Sequence, residues 1–184
     1  MNGSGKPETD EGAGRERIFL VIVDNSEEMK VALHFACRRA KSTGGRVALG
    51  IGTGDSSLRT MGLKPLKLAE LERAIADLRA LFRGEKVAEP TSGAEYHLNY
   101  LSAAMDIPIY IAASAPRILQ MSGRIADGVI VLVGTAPHFI EAALQTIERG
   151  AAESNRSLED LHIVLWTPTA IAEDSTEARD LVRA

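Results

Sequence analysis

One cysteine, Cys37, stands in a chain of 184 residues. Without a second thiol there is no disulfide framework and no cysteine-rich zinc site, and a reducing, cytoplasmic setting fits. Histidine is as sparse: His34, His97, His138 and His162 are isolated from one another and lack metal-ligand spacing, so no metal is expected. Positive charge is short as well, with a formal net charge of -4 and a pI of about 5.6. No basic field draws in nucleic acid. Arg38, Arg39 and Lys41 read as a solvated helix end that complements the dipole. Long apolar runs are missing too; Val129 to Val133 is far too short to cross a bilayer, so no membrane partner is expected. The opening MNGSGKPETDEGAGRER has no apolar core and is not a signal peptide. Residues 1–16 are expected to form a solvated, disordered tail. No G-x-S-x-G elbow occurs.

What is present is enough for one core. Hydrophobic residues make up 45% and charged residues 25%, and the length suits a single domain over residues 17–184. Ile18 to Asp24 is a continuous apolar run rich in β-branched residues, which predicts a strand buried on both faces. Asn25 and Glu28 have capping-box spacing, and Met29, Leu33, Ala36 and Ala40 make one helical face that Gly44 and Gly45 stop. Cys37 on this helix is expected to be buried as a small apolar residue. Arg46 to Ile51 is a second strand. Pro65 suits the first turn of the next helix, whose apolar face is Leu68, Leu71, Ile75, Leu78 and Phe82. Residues 85–106 have no period and read as a loop or irregular insertion, with His97 a surface histidine beside Tyr96 and Tyr100.

Three further strands follow, at Ile107–Ala113, Val129–Val133 and Leu161–Trp166, with an extension of the last to Ala172 left open. Pro116 opens a short helix to about Gly123, Pro137 opens a longer one, and Asp174 with Glu177 caps a last helix. Strands apolar throughout, alternating with amphipathic helices, predict an α/β fold. The expected architecture is a parallel sheet of about five strands with flanking helices, either a partial (β/α) barrel or an open doubly wound sheet. Five strands are too few for a closed eight-stranded barrel.

The stretch LGIGTGDSSLRTMGLKP, residues 49–65, alternates Gly50, Gly52 and Gly54 and then places Asp55. It fails the dinucleotide fingerprint, because the third glycine position falls on Asp55 or Ser57, and it fails the Walker loop, because Leu63 follows Gly62. A structural turn and a close approach of a ligand to backbone both remain open. The stretch Ser114-Ala115-Pro116-Arg117 sits at a strand end just before a helix. Free N–H groups and the dipole there favour a phosphate, with Arg117 as a clamp; an ordinary helix start with a solvated arginine is the alternative.

The segments RVALGIGTGDSSLRTMGLKPLKLAELERAIADLRALFRGE, IPIYIAASAPRILQMSGRIADGVIVLVG and SLEDLHIVLWTPTAIAEDSTEARD resemble the luciferase-like flavin and deazaflavin oxidoreductases, nearest the methylenetetrahydromethanopterin reductase-like subgroup. That resemblance covers residues 46–184. It implies a TIM-type (β/α)₈ barrel with cofactor and substrate at the C-terminal strand ends. It implies hydride transfer, or monooxygenase chemistry, between a deazaflavin coenzyme or FMN and a small organic substrate. On this reading Gly52, Thr53 and Gly54 lie beside the cofactor ring, and Asp55 is an active-site acid or else a solvated, helix-capping one. Ser114, Ala115, Pro116 and Arg117 then hold the cofactor phosphate, although Ala115 stands where relatives commonly have glycine.

Residues 17–50, RIFLVIVDNSEEMKVALHFACRRAKSTGGRVALG, resemble instead the start of a universal stress protein, in which an acid at the first strand end binds nucleotide; Asp24 matches it. No later G-x-x-G loop is recognisable, so Asp24 is half a site at best. The chain therefore reads as a seam near 46–50, with the barrel's first strands, and its last, outside it. A nucleotide-binding module and a composite without activity are the competing readings. Unclosed edges imply low stability and self-association.

Overall fold

The computed structural model describes residues 16–23, 26–99, 101 and 103–183, with the side chains of 55–57 and 183 outside the description. Asp24, Asn25, Tyr100 and the tail before Glu16 therefore lie outside it. Strand β1 (Ile18–Ile22) leads through helix α1 (Glu27–Thr43) to β2 (Arg46–Ile51). A short helix α2 (Asp55–Thr60) and a longer α3 (Leu68–Phe82) follow, then a small antiparallel ribbon, β3 (Val87–Ala88) with β4 (Glu95–Tyr96). The remainder alternates: β5 (Ile109–Ala113), α4 (Pro116–Ile125), β6 (Gly128–Val131), α5 (Pro137–Ala152), β7 (His162–Leu165) and α6 (Ser175–Arg183).

The main sheet has five strands in the order β1-β2-β5-β6-β7, every pair parallel. A doubly wound sheet reverses its order at a switch point. Here each strand adds beside the one before it, so of the two expected architectures the chain adopts the partial barrel, a sheet curled into a half-barrel.

Alternation along the strands sorts two layers. Ile109, Ile111, Ala113, Val129 and Val131 face the helices, where they meet Leu71 and Ile75 of α3, Ile118, Leu119 and Met121 of α4, and Ala143 and Ile147 of α5. The intervening residues Tyr110 and Ile130, with Ala48, face the concave side, alongside Ile18, Leu20, Ala112 and Val164. Fully burying a side chain such as Ile147 or Leu71 is worth ~1.5–3 kcal/mol.

Several local expectations need correction. β1 is not buried on both faces: it is an edge strand, covered on one side by α1, and only Val21 is buried. α1 starts one residue later than the capping-box spacing implied. Its N-cap is Ser26, whose Oγ accepts from the Met29 N–H at 3.1 Å, while Gly44 closes it in the left-handed region at φ 65°. On α1 only Ala36 and Ala40 are buried, and Cys37 is exposed because it falls on the outward face. Pro65 precedes α3 rather than opening it, because the Leu66 N–H donates to the Thr53 carbonyl at 3.1 Å and ties the chain down before the N-cap at Lys67. β7 stops at Leu165, since Pro168 lacks a donor and constrains Thr167. Asp174 does cap the last helix, accepting at Oδ1 from the Thr176 N–H at 2.6 Å.

Two devices lock the centre. Asp127 brackets β5: its N–H donates to the Ile109 carbonyl at 2.9 Å and its Oδ2 accepts from the Ile109 N–H at 2.8 Å. Arg79 of α3 donates to that same Oδ2 at 2.8 Å and to the Ile125 carbonyl at 2.9 Å. The second device joins α4 to α5. A Cβ placed on Gly123 would collide with the Ile147 carbonyl oxygen, and one on Gly150 with the Gln120 carbonyl oxygen, so the helices touch backbone to backbone. This explains why α4 runs through Gly123 to Ile125 instead of ending there.

At an exposed helical position, alanine in place of glycine gains roughly 0.5–1 kcal/mol. At Gly123 and Gly150 the collision reverses the sign: Gly123→Ala and Gly150→Ala should each lose ~1–3 kcal/mol. Urea unfolding midpoints decide it, and a midpoint unchanged or raised in both variants would show that the helices do not meet through their backbones.

Candidate functional site

Two sequence motifs converge because β2 and β5 are neighbours. Leu49, Gly50 and Ile51 align with Ile109, Tyr110 and Ile111, so the segments that leave both strands emerge at one end of the sheet. That is the C-terminal end, where barrels of this kind carry their chemistry.

The three glycines after Leu49 serve three purposes. Gly50 lies within β2 beneath β1, and a Cβ there would meet Ile22 Cδ1 at 2.5 Å. Gly52 lies just past the strand, and a Cβ there would come within 3.3 Å of the Ala112 Cβ, on the strand that carries the second motif. Gly54 turns the chain at φ 73°, a left-handed conformation, and its carbonyl accepts the first bond of α2 from the Leu58 N–H at 2.9 Å. Thr53 is held at its carbonyl by Leu66. Asp55 is the first residue of α2; its side chain lies outside the description.

Ser114, Ala115, Pro116 and Arg117 are all exposed at the end of β5. Ala115 is the N-cap of α4 in an ordinary extended conformation, φ −96° and ψ 153°, and no side chain caps the helix. Pro116 at the first position has no N–H, so the unsatisfied donors of the first turn are those of Arg117 and Ile118. α5 begins the same way, with Ala136 as an uncapped N-cap and Pro137 next. Between the two helix starts lies a largely apolar cavity of about 360 Å³, lined by Ser114, Pro116, Leu119, Val133, Phe139 and Thr146 among others. The repeat of Ser-Ala-Pro and Thr-Ala-Pro at 114–116 and 135–137 is the sequence signal for this pairing. Periodicity alone does not reveal it.

The opposite end of the strands holds a second cavity of about 440 Å³, polar, with Arg46, Asp106, Tyr110, Asp127, Asp160 and His162 around it. Tyr110 is buried on the concave face, with its hydroxyl 2.7 Å from His162 Nδ1 and the two rings edge to face. Gly128 makes room for it, since a Cβ there would strike the Tyr110 ring. Burial first, and then the Asp127 charge, raise the Tyr110 pKa, against an opposing effect of Arg46. No group of three or more potential metal ligands occurs among the described residues. His34, His97 and His138 are exposed and apart, His138 resting against Phe139. No helix among the described residues is long and apolar enough to cross a membrane.

The family model for luciferase-like monooxygenases matches residues 40–184. The chain belongs to the luciferase-like monooxygenase family. The luciferase-like segment is 32% identical over 153 residues to an F420-dependent glucose-6-phosphate dehydrogenase of Beutenbergia cavernae, covering 76% of this chain and 44% of that protein. It is 30% identical over 148 residues to a 5,10-methylenetetrahydromethanopterin reductase of Archaeoglobus fulgidus, covering 77% and 43%. Among solved structures, the coenzyme F420-dependent tetrahydromethanopterin reductase of Methanopyrus kandleri superposes with a TM-score of 0.59 at 25% identity, covering 76% of this chain and 46% of that one. The chain thus spans less than half the length of these luciferase-like relatives. The family match begins within α1, and these relatives lend no support to the universal stress protein resemblance of residues 17–50.

The raised Tyr110 pKa carries a pH consequence. The folded protein holds this proton more tightly than an unfolded chain, whose tyrosine titrates near 10.0. Stability is therefore full below about pH 10 and falls as pH rises through the raised native value. Tyr110→Phe should abolish that alkaline loss while costing about 0.5–1.5 kcal/mol at neutral pH through the lost hydrogen bond. Chemical unfolding at pH 7 and across the alkaline range checks both; equal alkaline slopes in the two proteins would refute the assignment.

Proposed function

We propose that this chain is an oxidoreductase of the luciferase-like family that binds a deazaflavin coenzyme at the C-terminal ends of β2 and β5 and acts on a small organic substrate. The observation that carries it is the side-by-side placement of Gly52–Gly54 and Ser114–Arg117, on neighbouring parallel strands, in a chain whose relatives include F420-dependent enzymes.

The residues present fit such a cofactor. Gly52 leaves the rim bare of side chain next to Ala112, so a flat ring can approach backbone. The uncapped first turn of α4 offers the Arg117 and Ile118 N–H groups and the positive end of the dipole to a phosphate, and the exposed Arg117 guanidinium adds a charged clamp. The methyl of Ala115 does not force an unusual backbone, so it leaves these donors in place. The Ser114 hydroxyl supplies one more donor at the cavity wall. When bound, the cofactor supplies hydride transfer. Asp55, at the start of α2, is the acid of this rim and would hold or deliver the proton that accompanies the hydride.

Purified protein incubated with coenzyme F420, or separately with FMN, should retain the deazaflavin chromophore through gel filtration. Arg117→Ala should raise the Kd by roughly 10- to 150-fold, the equivalent of ~1.5–3 kcal/mol for a hydrogen bond to a charged group. Identical titrations of wild type and variant would place the phosphate elsewhere. Retention of FMN alone would reassign the cofactor within the family, and retention of neither would leave a composite without the proposed activity.

A further inference from the structure

Three strands are shaped around a pair that the cofactor site does not use. Register sets Tyr110 of β5 beside Gly128 of β6, and Gly128 beside His162 of β7. Gly128 leaves the middle position bare, and the Tyr110 ring fills the space where a Cβ would stand. Its hydroxyl thereby reaches across β6 to His162 Nδ1 at 2.7 Å. Tyr110 is 2% exposed and lies among Ala48, Ile130, Leu20 and Val164. Among the described residues its hydroxyl has no other hydrogen-bond partner. A buried O–H without an acceptor is costly, so the hydroxyl donates and Nδ1 accepts, which leaves the His162 ring proton on Nε2.

Burial penalises charge on the Tyr110 oxygen, which is why its pKa is raised. The same penalty acts on the cation that the ring becomes when it loses an electron alone. Loss of the electron together with the hydroxyl proton leaves a neutral ring, and that route needs a base in line with the O–H. His162 Nδ1 is that base. The transferred proton arrives at the edge of the polar cavity bordered by Arg46, Asp106, Asp127, Glu159 and Asp160, not inside the apolar layer. A second oxidisable ring stands on the same stretch of chain. His162, Val164 and Trp166 alternate onto one face, the concave one that Val164 marks. Trp166, the single tryptophan of the chain, lies where β7 gives way to the rim, roughly 13 Å along the strand direction from His162.

We propose that Tyr110 and His162 form a redox-active pair that discharges one-electron oxidants arriving at the rim, with Trp166 as the relay. The oxidants are oxygen-centred radicals of the peroxyl class. One electron passes from the Trp166 indole to the radical, which becomes a hydroperoxide by taking a proton from water. One electron then passes from Tyr110 to the oxidised indole, and the Tyr110 O–H proton moves to His162 Nδ1. The pair is left as a neutral tyrosyl radical and an imidazolium. A thiolate restores it by giving up one electron and becoming a thiyl radical, while the proton returns from Nδ1 to the oxygen. This chemistry goes beyond the hydride transfer of the proposed cofactor. It moves single electrons and is tested without cofactor, so either reading can fail alone.

The chain has three tyrosines, and Tyr96→Phe with Tyr100→Phe leaves Tyr110 as the only one. The cofactor-free full chain in that background, photo-oxidised with a ruthenium tris(bipyridine) complex and persulfate, should give a tyrosyl radical by electron paramagnetic resonance. Adding Tyr110→Phe should remove the signal. His162→Gln keeps an acceptor for the hydroxyl but supplies no base, and should slow radical formation by roughly tenfold or more. Trp166→Phe should slow it too, with far-ultraviolet circular dichroism unchanged. Absence of the radical, or an equal rate of formation in the His162→Gln protein, would overturn the pair. An equal rate in the Trp166→Phe protein would overturn the relay. If His162→Gln fails to fold, the rate in deuterium oxide decides: coupled proton loss is slower there, and equal rates in the two solvents would overturn the proposal.

Discussion

The rim depends on a ladder of three residue pairs. Leu49, Gly50 and Ile51 meet Ile109, Tyr110 and Ile111, and in doing so they close an excursion that begins at Gly52 and returns at Pro108. Closing a flexible loop of that length costs on the order of 3–4 kcal/mol. Three backbone pairs alone do not comfortably offset this. The difference comes from α3, which lies inside the excursion and buries Leu71 and Ile75 against β5 and α4. Arg79 of the same helix reaches Asp127, and Asp127 reaches the first amide of β5. The helix in the loop thus pins the strand that the loop must find, and the two motifs become neighbours as a result. The Arg46–Asp106 ion pair across the closure, at 3.3 Å, is largely exposed and adds little.

The layered arrangement was legible where it rests on period. Unbroken apolar runs marked β5 and β6 as buried strands of a parallel sheet, and the spacing of Leu68, Leu71, Ile75, Leu78 and Phe82 marked α3. What strands cannot announce locally is their place in the sheet. Ile18 to Ile22 reads as apolar as any central strand, yet it is an edge, and its burial depends on neighbours that local sequence does not encode. The choice between curled and doubly wound sheets was equally invisible, because strand order is a global property. Exact helix starts failed at Asn25 and Pro65, where Ser26 and the Thr53–Leu66 hydrogen bond decided between nearby options.

At the site, the residues with covalent punctuation were the readable ones. Gly54 and Pro116 impose backbone geometry wherever they stand, and both occur where strand turns into helix. Tyr110 and His162 were unreadable as a pair, since 52 residues separate them and nothing in either neighbourhood points to the other. Gly123 looked like a stop and is a contact. A glycine inside an amphipathic helix is ambiguous until the partner helix, and the glycine on it, are known.

That contact has a consequence for how a ligand would be received. Helices separated by side chains can slide, because rotamers absorb the motion. Helices that meet at Gly123 and Gly150 have no such cushion, and a shift of either drives peptide groups together. α4 and α5 are therefore one stiff body, and the uncapped starts at Ala115 and Ala136 keep a constant spacing and bearing. Their amides form a fixed field that does not need to rearrange when charge arrives, and reorganisation is what makes water a poorer host for an anion than a preformed pocket. Adjustment to the size of the guest falls on the other side of the mouth, on residues 52–67, whose anchors among the described residues include one short helix and the hydrogen bond from Leu66 to Thr53.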